Sequence, residues 1–182
     1  MIKVDISDKK SYFSLSNRLS RVIWGVAYIV FFRFSPRPFH LWRNVLLRMF
    51  GAKLHRKARI YPSAKIYAPW NLIMHQNATL GDGVYCYCVT TIEIGANSTI
   101  SQFSFLCGAD HDYEHSRFPL KARPIKVGEQ CWLAADVFVA PGVTIGDGTV
   151  VGARSSVFRD LPPWKVCAGT PAKVIKDRII KQ

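Results

Sequence analysis

The sequence predicts a mainly β protein, a parallel β-helix built from stacked coils. Three observations carry that reading: a six-residue beat near the C-terminus, the same beat upstream with one slip, and a long polar excursion between the two. Val127, Leu133, Val139, Ile145, Val151 and Val157 recur at every sixth position. Four residues after each of the first five stands a small or β-branched residue: Cys131, Val137, Val143, Thr149 and Ser155. Gly128, Gly146 and Gly152 follow directly after three of the apolar positions. A strand repeats every two residues and a helix about every 3.6, so neither alone holds this register. A hexapeptide repeat does fit a β-helix, in which each repeat forms one flat side of a coil.

Upstream, Met74, Leu80 and Cys86 keep the same step, with Ala78, Val84 and Thr90 at the small positions. Two extra residues then shift the register before Ile94, Ile100 and Leu106 resume it. The next residue in step is Val127, so the stretch at about 107–126 reads as a protruding loop. It holds Gly108, Pro119, Pro124 and the polar cluster Asp110-His111-Asp112-Tyr113-Glu114-His115. A long excursion from a regular solenoid is more often functional than accidental.

The N-terminal element is set apart by charge. Of the net +13, residues 1–60 supply +11, with only Asp5 and Asp8 against thirteen Lys and Arg. The sequence divides into a basic, apolar helical segment (1–57), a β-helix (58–170) and a C-terminal tail or short helix (171–182). The apolar run Val22–Phe32 sits between Arg21 and Arg33. It is too short to span a bilayer, which needs about 20 residues. After Ser35-Pro36, helical spacing places Phe39, Trp42, Leu46, Met49 and Phe50 on one face. Arg43 and Arg48 lie off that face, and Gly51 marks the stop. Two readings stay open and are compatible: a membrane-interface anchor through residues 1–50, and a cap on the open end of the solenoid. Nucleic acid is a poor fit, because the basic residues alternate with bulky aliphatics and form no groove-reading motif.

Composition sets outer limits. With 49% hydrophobic and 20% charged residues, the chain is not of the disordered class. Its five cysteines form no CxxC pair, which suits a reducing compartment. The first twenty residues are too polar for a cleavable signal. The expected location is cytoplasmic, with peripheral contact on the inner face of the membrane if the anchor reading holds.

At this point the residues resemble the hexapeptide-repeat acyltransferases. The repeat run, Asp160-Leu161-Pro162-Pro163, and Ala168-Gly169-Thr170-Pro171-Ala172-Lys173 carry the family likeness. Ser35-Pro36-Arg37-Pro38, Trp42-Arg43-Asn44, Ile66-Tyr67-Ala68-Pro69-Trp70-Asn71-Leu72 and His111-Asp112-Tyr113 resemble the colanic-acid-biosynthesis acetyltransferase branch. The resemblance implies a left-handed coil, a homotrimer, acetyl-CoA as co-substrate, no metal, and a sugar as acceptor; a lipid-linked glycan is the natural acceptor if the N-terminal segment touches a membrane. It also implies O-acetyl transfer in surface or exopolysaccharide biosynthesis.

The same resemblance places a catalytic histidine in the protruding loop, where His111 stands. An imidazole near its ordinary pKa suits a base that must take a hydroxyl proton as the oxygen attacks a thioester. Its other ring nitrogen needs a carbonyl or a carboxylate to hold the tautomer, and Asp110, Asp112 and Glu114 are the candidates. Carried over by position, Trp132, Ala135, Ala153, Phe158, Arg159, Lys173 and Lys176 would hold coenzyme A. The two alanines leave room for the pantetheine arm, and the basic residues suit phosphates. Tyr85, Tyr87 and Tyr113 are the acceptor candidates, and Cys86 and Cys88 fall beside them where relatives place polar contacts.

Two other functions share the solenoid. A γ-class carbonic-anhydrase-like metal enzyme would use His75, His111 and His115. However, two uninterrupted coils would hold His75 and His111 roughly 10 Å apart, too far for one zinc unless the slip, the loop or an interface intervenes. A non-catalytic membrane-associated scaffold would make the loop dispensable.

Overall fold

A computed structural model describes Val4, Ser7 and residues 12–181. The hexads become the three walls of a parallel β-helix. The first wall stacks Lys53–Leu54, Leu72–Met74, Ile92–Ile94, Ile125–Val127 and Thr144–Ile145. The second stacks Arg59–Ile60, Thr79–Leu80, Thr99–Ile100, Trp132–Leu133, Val150–Val151 and Lys165–Ala168. The third stacks Lys65–Ile66, Tyr85–Tyr87, Phe105–Cys107, Phe138–Val139 and Ser156–Val157. Val127 lies between Ile94 and Ile145, Leu133 between Ile100 and Val151, and Val139 between Leu106 and Val157. The apolar beat is thus one column of core side chains per wall, and all six of its C-terminal members are fully buried.

The corners explain the rest of the hexad. At the corners without insertions the third residue after the apolar position commonly adopts a left-handed backbone, as at Asn77, Asn97, Gln130, Asp136 and Arg154 with φ of 56° to 60°. That conformation turns the chain sharply, and a non-glycine residue in it costs about 1–2 kcal/mol. The backbone N–H groups of Asn97, Gln130, Asp136 and Arg154 are paired with the neighbouring coil. Gln130 N–H donates to the Ala96 carbonyl (2.8 Å) and Arg154 N–H to that of Ala135 (3.0 Å). The small inward residues serve the same end. Ser98 Oγ donates to the Gly128 carbonyl (2.6 Å) and accepts from Cys131 N–H (2.9 Å), so a buried hydroxyl ties two coils together.

Every extra residue sits at one corner, where the third wall returns to the first. It holds a 3-10 turn at Pro69–Asn71, then Cys88–Thr91, then the long excursion after Cys107. The slip therefore displaces one expected residue. Thr90 is only half-buried, and Cys88 and Val89 fill the interior instead.

The open end is closed by two helices, α1 (Leu15–Ala27), running into one π turn at Tyr28–Phe32, and α2 (His40–Met49). Ser14 Oγ accepts from Asn17 N–H (3.2 Å) and starts α1. Trp24 is buried beside Phe32 and Phe50, with its indole N–H on the Ile66 carbonyl (2.7 Å). The bottom coil presents carbonyls that have no further coil to pair with. Arg43, fully buried, donates to the carbonyls of Ile60 (2.6 Å) and Pro36 (2.8 Å), to Ser35 Oγ (2.8 Å) and to the Arg37 carbonyl. Asn44 Nδ2 donates to the Ala58 carbonyl (2.8 Å). The helical face expected from spacing is therefore divided: Leu46 turns inward with Arg43, while Phe39, Trp42 and Met49 remain exposed.

The expected C-terminal helix is corrected to a strand. Lys173–Asp177 pairs antiparallel with Lys165–Ala168, and Ala168 stands opposite Lys173. Gly169, at φ 101°, turns the chain back, and the β-branched pair Val174-Ile175 suits the sheet edge better than a short helix.

Arg43→Met is expected to lower unfolding stability by about 3–5 kcal/mol, since each buried carbonyl left unpaired costs about 1–3 kcal/mol. Urea denaturation followed by tryptophan fluorescence measures it.

Candidate active site

The excursion is an antiparallel hairpin growing from the third wall. Phe105–Cys107 passes through Gly108 into Ala109–His111, which pairs with Leu120–Ala122. Gly108 N–H donates to the Tyr87 carbonyl (3.0 Å), anchoring the exit to the coil below. A side chain at Gly108 would bring its Cβ within 2.6 Å of that carbonyl oxygen, so only glycine fits the junction. Asp110 pairs with Arg123 (2.6 Å) and Asp112 with Lys121 (2.8 Å). The Lys121 ammonium holds the Asp112 carboxyl below its ordinary range.

His111 ends the outgoing strand. Its Nδ1 lies 2.6 Å from the Phe118 carbonyl oxygen. A carbonyl can only accept, so Nδ1 carries a proton, and in the neutral ring the lone pair lies on Nε2. That is the tautomer a general base needs. Phe118 has a left-handed backbone (φ 46°), uncommon for a bulky residue, and this aims its carbonyl at the imidazole. Its N–H is held by the His115 carbonyl (3.0 Å), and Asp112 N–H donates to the Pro119 carbonyl (2.9 Å) across the tip.

The acceptor of the Nδ1 proton is thus a main-chain carbonyl. Asp110, Asp112 and Glu114 do not take that position: the first two are committed to Arg123 and Lys121, and Glu114 is exposed at the tip. From sequence the acceptor is a carbonyl or a carboxylate, and only the carboxylates can be named by residue. A carbonyl leaves no mark in residue identity, and only the hairpin register brings 118 back to 111.

Beside the hairpin, the outer face of the third wall carries an aromatic ladder. Tyr85 stacks on Phe105 (5.1 Å, planes within 10°), Phe105 meets Phe138 (5.6 Å), and Phe138 meets Phe158 (5.8 Å). Tyr87 packs on Tyr67 (4.6 Å). Burial, reinforced by Tyr87, pushes the Tyr85 phenol up to about 12, so it stays a donor at neutral pH. Phe105 and Phe138 escaped the sequence reading, although their outward parity on known strands would have revealed them. Cys86 and Cys88 point into the core and make no surface contact, because they alternate with the outward tyrosines. Tyr113 is 82% exposed at the hairpin tip.

At the foot of the ladder lies a cleft of about 430 Å³ between α1 and the wall, lined by Arg21, Trp24, Tyr28, Lys65, Tyr67 and Tyr85 among others. Arg21 donates to the Tyr67 hydroxyl and covers its ring. The Tyr28 hydroxyl is buried without a hydrogen-bond partner among the described residues.

The residues expected to hold coenzyme A cluster in the C-terminal coils. Ala135 and Ala153 stack one above the other at the corner between the second and third walls, and Gly169 follows, accepting from Ser156 N–H (3.0 Å). Trp132 stands half-exposed on the second wall, with its indole N–H on Ser101 Oγ (3.0 Å). Phe158 and Arg159 lie across the third wall at its other corner, exposed. Lys173 and Lys176 project from the last strand.

The three histidines of the metal reading are not brought together. His75 Nε2 pairs with Glu93 (2.8 Å) on the first wall, and His115 Nδ1 accepts from Arg117 N–H (3.1 Å). Among the described residues, no three His, Cys, Asp or Glu side chains are grouped to hold a metal ion. His40 belongs to the cap, beside Arg43, where burial pushes its pKa down.

The chain is 51% identical over 163 residues to the Escherichia coli (strain K12) protein WcaF, which is named for colanic acid biosynthesis acetyltransferase activity; the match covers 90% of each chain. The chain belongs to the hexapeptide-repeat acetyltransferases. The family described as bacterial transferase hexapeptide (six repeats) matches residues 124–159, the coils above the hairpin. A solved galactoside acetyltransferase in complex with coenzyme A superposes with a TM-score of 0.82 at 26% identity, over 92% of this chain and 84% of that one. An acetyltransferase of Vibrio cholerae O1 biovar eltor, solved with acetyl coenzyme A, shares the fold, with a TM-score of 0.82 at 23% identity over 95% and 94% of the two chains.

Gly108→Ala must move the hairpin while leaving the coils intact. A shift of about 1 Å in a catalytic group costs up to about 100-fold, so turnover is expected to fall about 10- to 100-fold with an unchanged melting curve. Steady-state kinetics and thermal unfolding on the same preparation check both halves.

Proposed function

We propose that this protein is an O-acetyltransferase that moves an acetyl group from acetyl-CoA to a sugar hydroxyl in surface or exopolysaccharide biosynthesis. The observation that carries the proposal is the Nδ1 contact of His111 with the Phe118 carbonyl. It leaves Nε2 free to take the hydroxyl proton as the sugar oxygen attacks the thioester carbon. The tetrahedral intermediate then collapses, the C–S bond breaks, and the imidazolium returns its proton to the thiolate. His111 is the catalytic residue; Asp110, Asp112 and Glu114 shape the hairpin around it.

In this reading the pantetheine arm runs along the corner made by Ala135 and Ala153, where a larger side chain would block the backbone. Trp132 and Phe158 flank the arm, and Arg159, Lys173 and Lys176 meet the phosphates. Tyr85 and Tyr87 offer the acceptor an aromatic floor with phenolic donors, suited to a sugar ring. Tyr113, on the exposed tip, reaches an acceptor only across a subunit boundary. His111 is itself exposed in the single chain, as expected if a homotrimer completes the site. The enzyme acts on the cytoplasmic side, where acetyl-CoA is available. A lipid-linked glycan is the acceptor if the cap lies on the membrane.

The test is thiol release from acetyl-CoA across a panel of sugars. Release must depend on a sugar. His111→Ala is expected to lower kcat by about 10²- to 10⁴-fold, the usual share of general-base catalysis. Full activity in that variant would refute the mechanism.

A further inference from the structure

We infer that the outer face of the two-helix cap is a docking surface for an anionic lipid bilayer. This inference is independent of the reaction proposed above. It rests on the way the cap is turned inside out.

On α1 and its π turn, Leu15, Leu19, Val22, Val26 and Ile29 step along one line and are all more than half exposed. The residues that pack on the solenoid, Trp24, Ala27 and Phe32, lie on the other side. On α2 the inversion is complete. Its buried side holds Arg43 and Asn44 beside Leu46 and Leu47, while Leu41, Trp42, Val45 and Met49 face out. A helix that buries an arginine and exposes a tryptophan and a methionine is arranged for a solvent other than water. The two stripes are continuous. Trp42 indole N–H donates to the Phe31 carbonyl (2.9 Å), and Val30, Phe31, Phe34, Phe39 and Trp42 line a shared apolar cleft of about 430 Å³.

Charge selects the occupant. No Asp or Glu occurs between Lys9 and Gly81. Arg18 on α1, Arg33 just past the π turn and Arg48 on α2 are exposed beside the apolar stripes. A second copy meeting this face would oppose arginine to arginine, whereas anionic headgroups satisfy the basic rim and acyl chains the apolar stripe. Among the described residues no helix is long and apolar enough to cross a membrane, so the cap lies on the surface. Residues 1–3, 5, 6 and 8–11 of the basic segment lie outside the described residues.

The test is sedimentation of the full-length protein with vesicles of phosphatidylcholine containing roughly one-third phosphatidylglycerol. Val22→Glu/Val26→Glu and Leu41→Glu change only exposed positions. The wild type should sediment with these vesicles, and each variant should bind about tenfold more weakly while keeping its melting temperature and its thiol release with a soluble sugar. Trp42 fluorescence should be quenched by brominated acyl chains in the wild type. Wild-type protein left in the supernatant, equal binding to pure phosphatidylcholine, or unimpaired binding by the variants would overturn the inference. So would a variant that drops to a smaller oligomer in light scattering, which would give the face to a second copy. Loss of thiol release with intact vesicle binding would count against the proposed reaction alone.

Discussion

The structure depends on one constraint: every strand must hand its backbone hydrogen bonds to the coil above, in register. Arg59, Thr79, Thr99 and Trp132 show it on the second wall, each N–H donating to a carbonyl of the next coil at 2.8 to 3.0 Å. Strands of two or three residues cannot hold a sheet alone. Their stability comes from repetition, which stacks isoleucine on isoleucine inside and backbone on backbone along the wall. The left-handed corners, the buried serine hydroxyls and the invariant parity of the core all follow from keeping that register.

The same constraint decides where the chain can vary. A residue added within a wall would turn the core face outward. A residue added at a corner only lengthens the turn. All the insertions fall at the corner between the third and first walls, and the longest became the hairpin that carries His111. A rigid stack thereby gains one adjustable arm without loss of register. The arm is stiffened in turn by its own ladder, by two ion pairs and by the Gly108 contact with the coil below. Fixing an imidazole to that degree is what general-base chemistry needs.

A stack also has ends. The bottom coil exposes carbonyls with no partner, and Arg43 and Asn44 satisfy them from a helix. Turning those polar groups inward leaves the apolar residues of the same helix outside. The cap thus solves a hydrogen-bonding problem at the end of the solenoid and creates an apolar, basic surface in doing so. The cap and the membrane-facing readings of the N-terminal segment are consequences of one geometry.

The six-residue register was legible in the sequence by itself, because burial in a regular solenoid imposes a period that no other element shares. The column from Val127 to Val157, the slip near Thr90, the excursion from Cys107 and the candidacy of His111 all follow from that period and the family likeness. The C-terminal strand was not legible, since Lys173–Asp177 is too short and too exposed to carry a pattern and takes its form from the sheet edge it meets. Nor was the inward turn of Arg43, because the carbonyls it satisfies belong to residues brought near only by coiling. The orientation of His111 was decided by tertiary structure alone. Its partner is a main-chain oxygen seven residues away, and a backbone atom becomes a specific group only when the fold positions it.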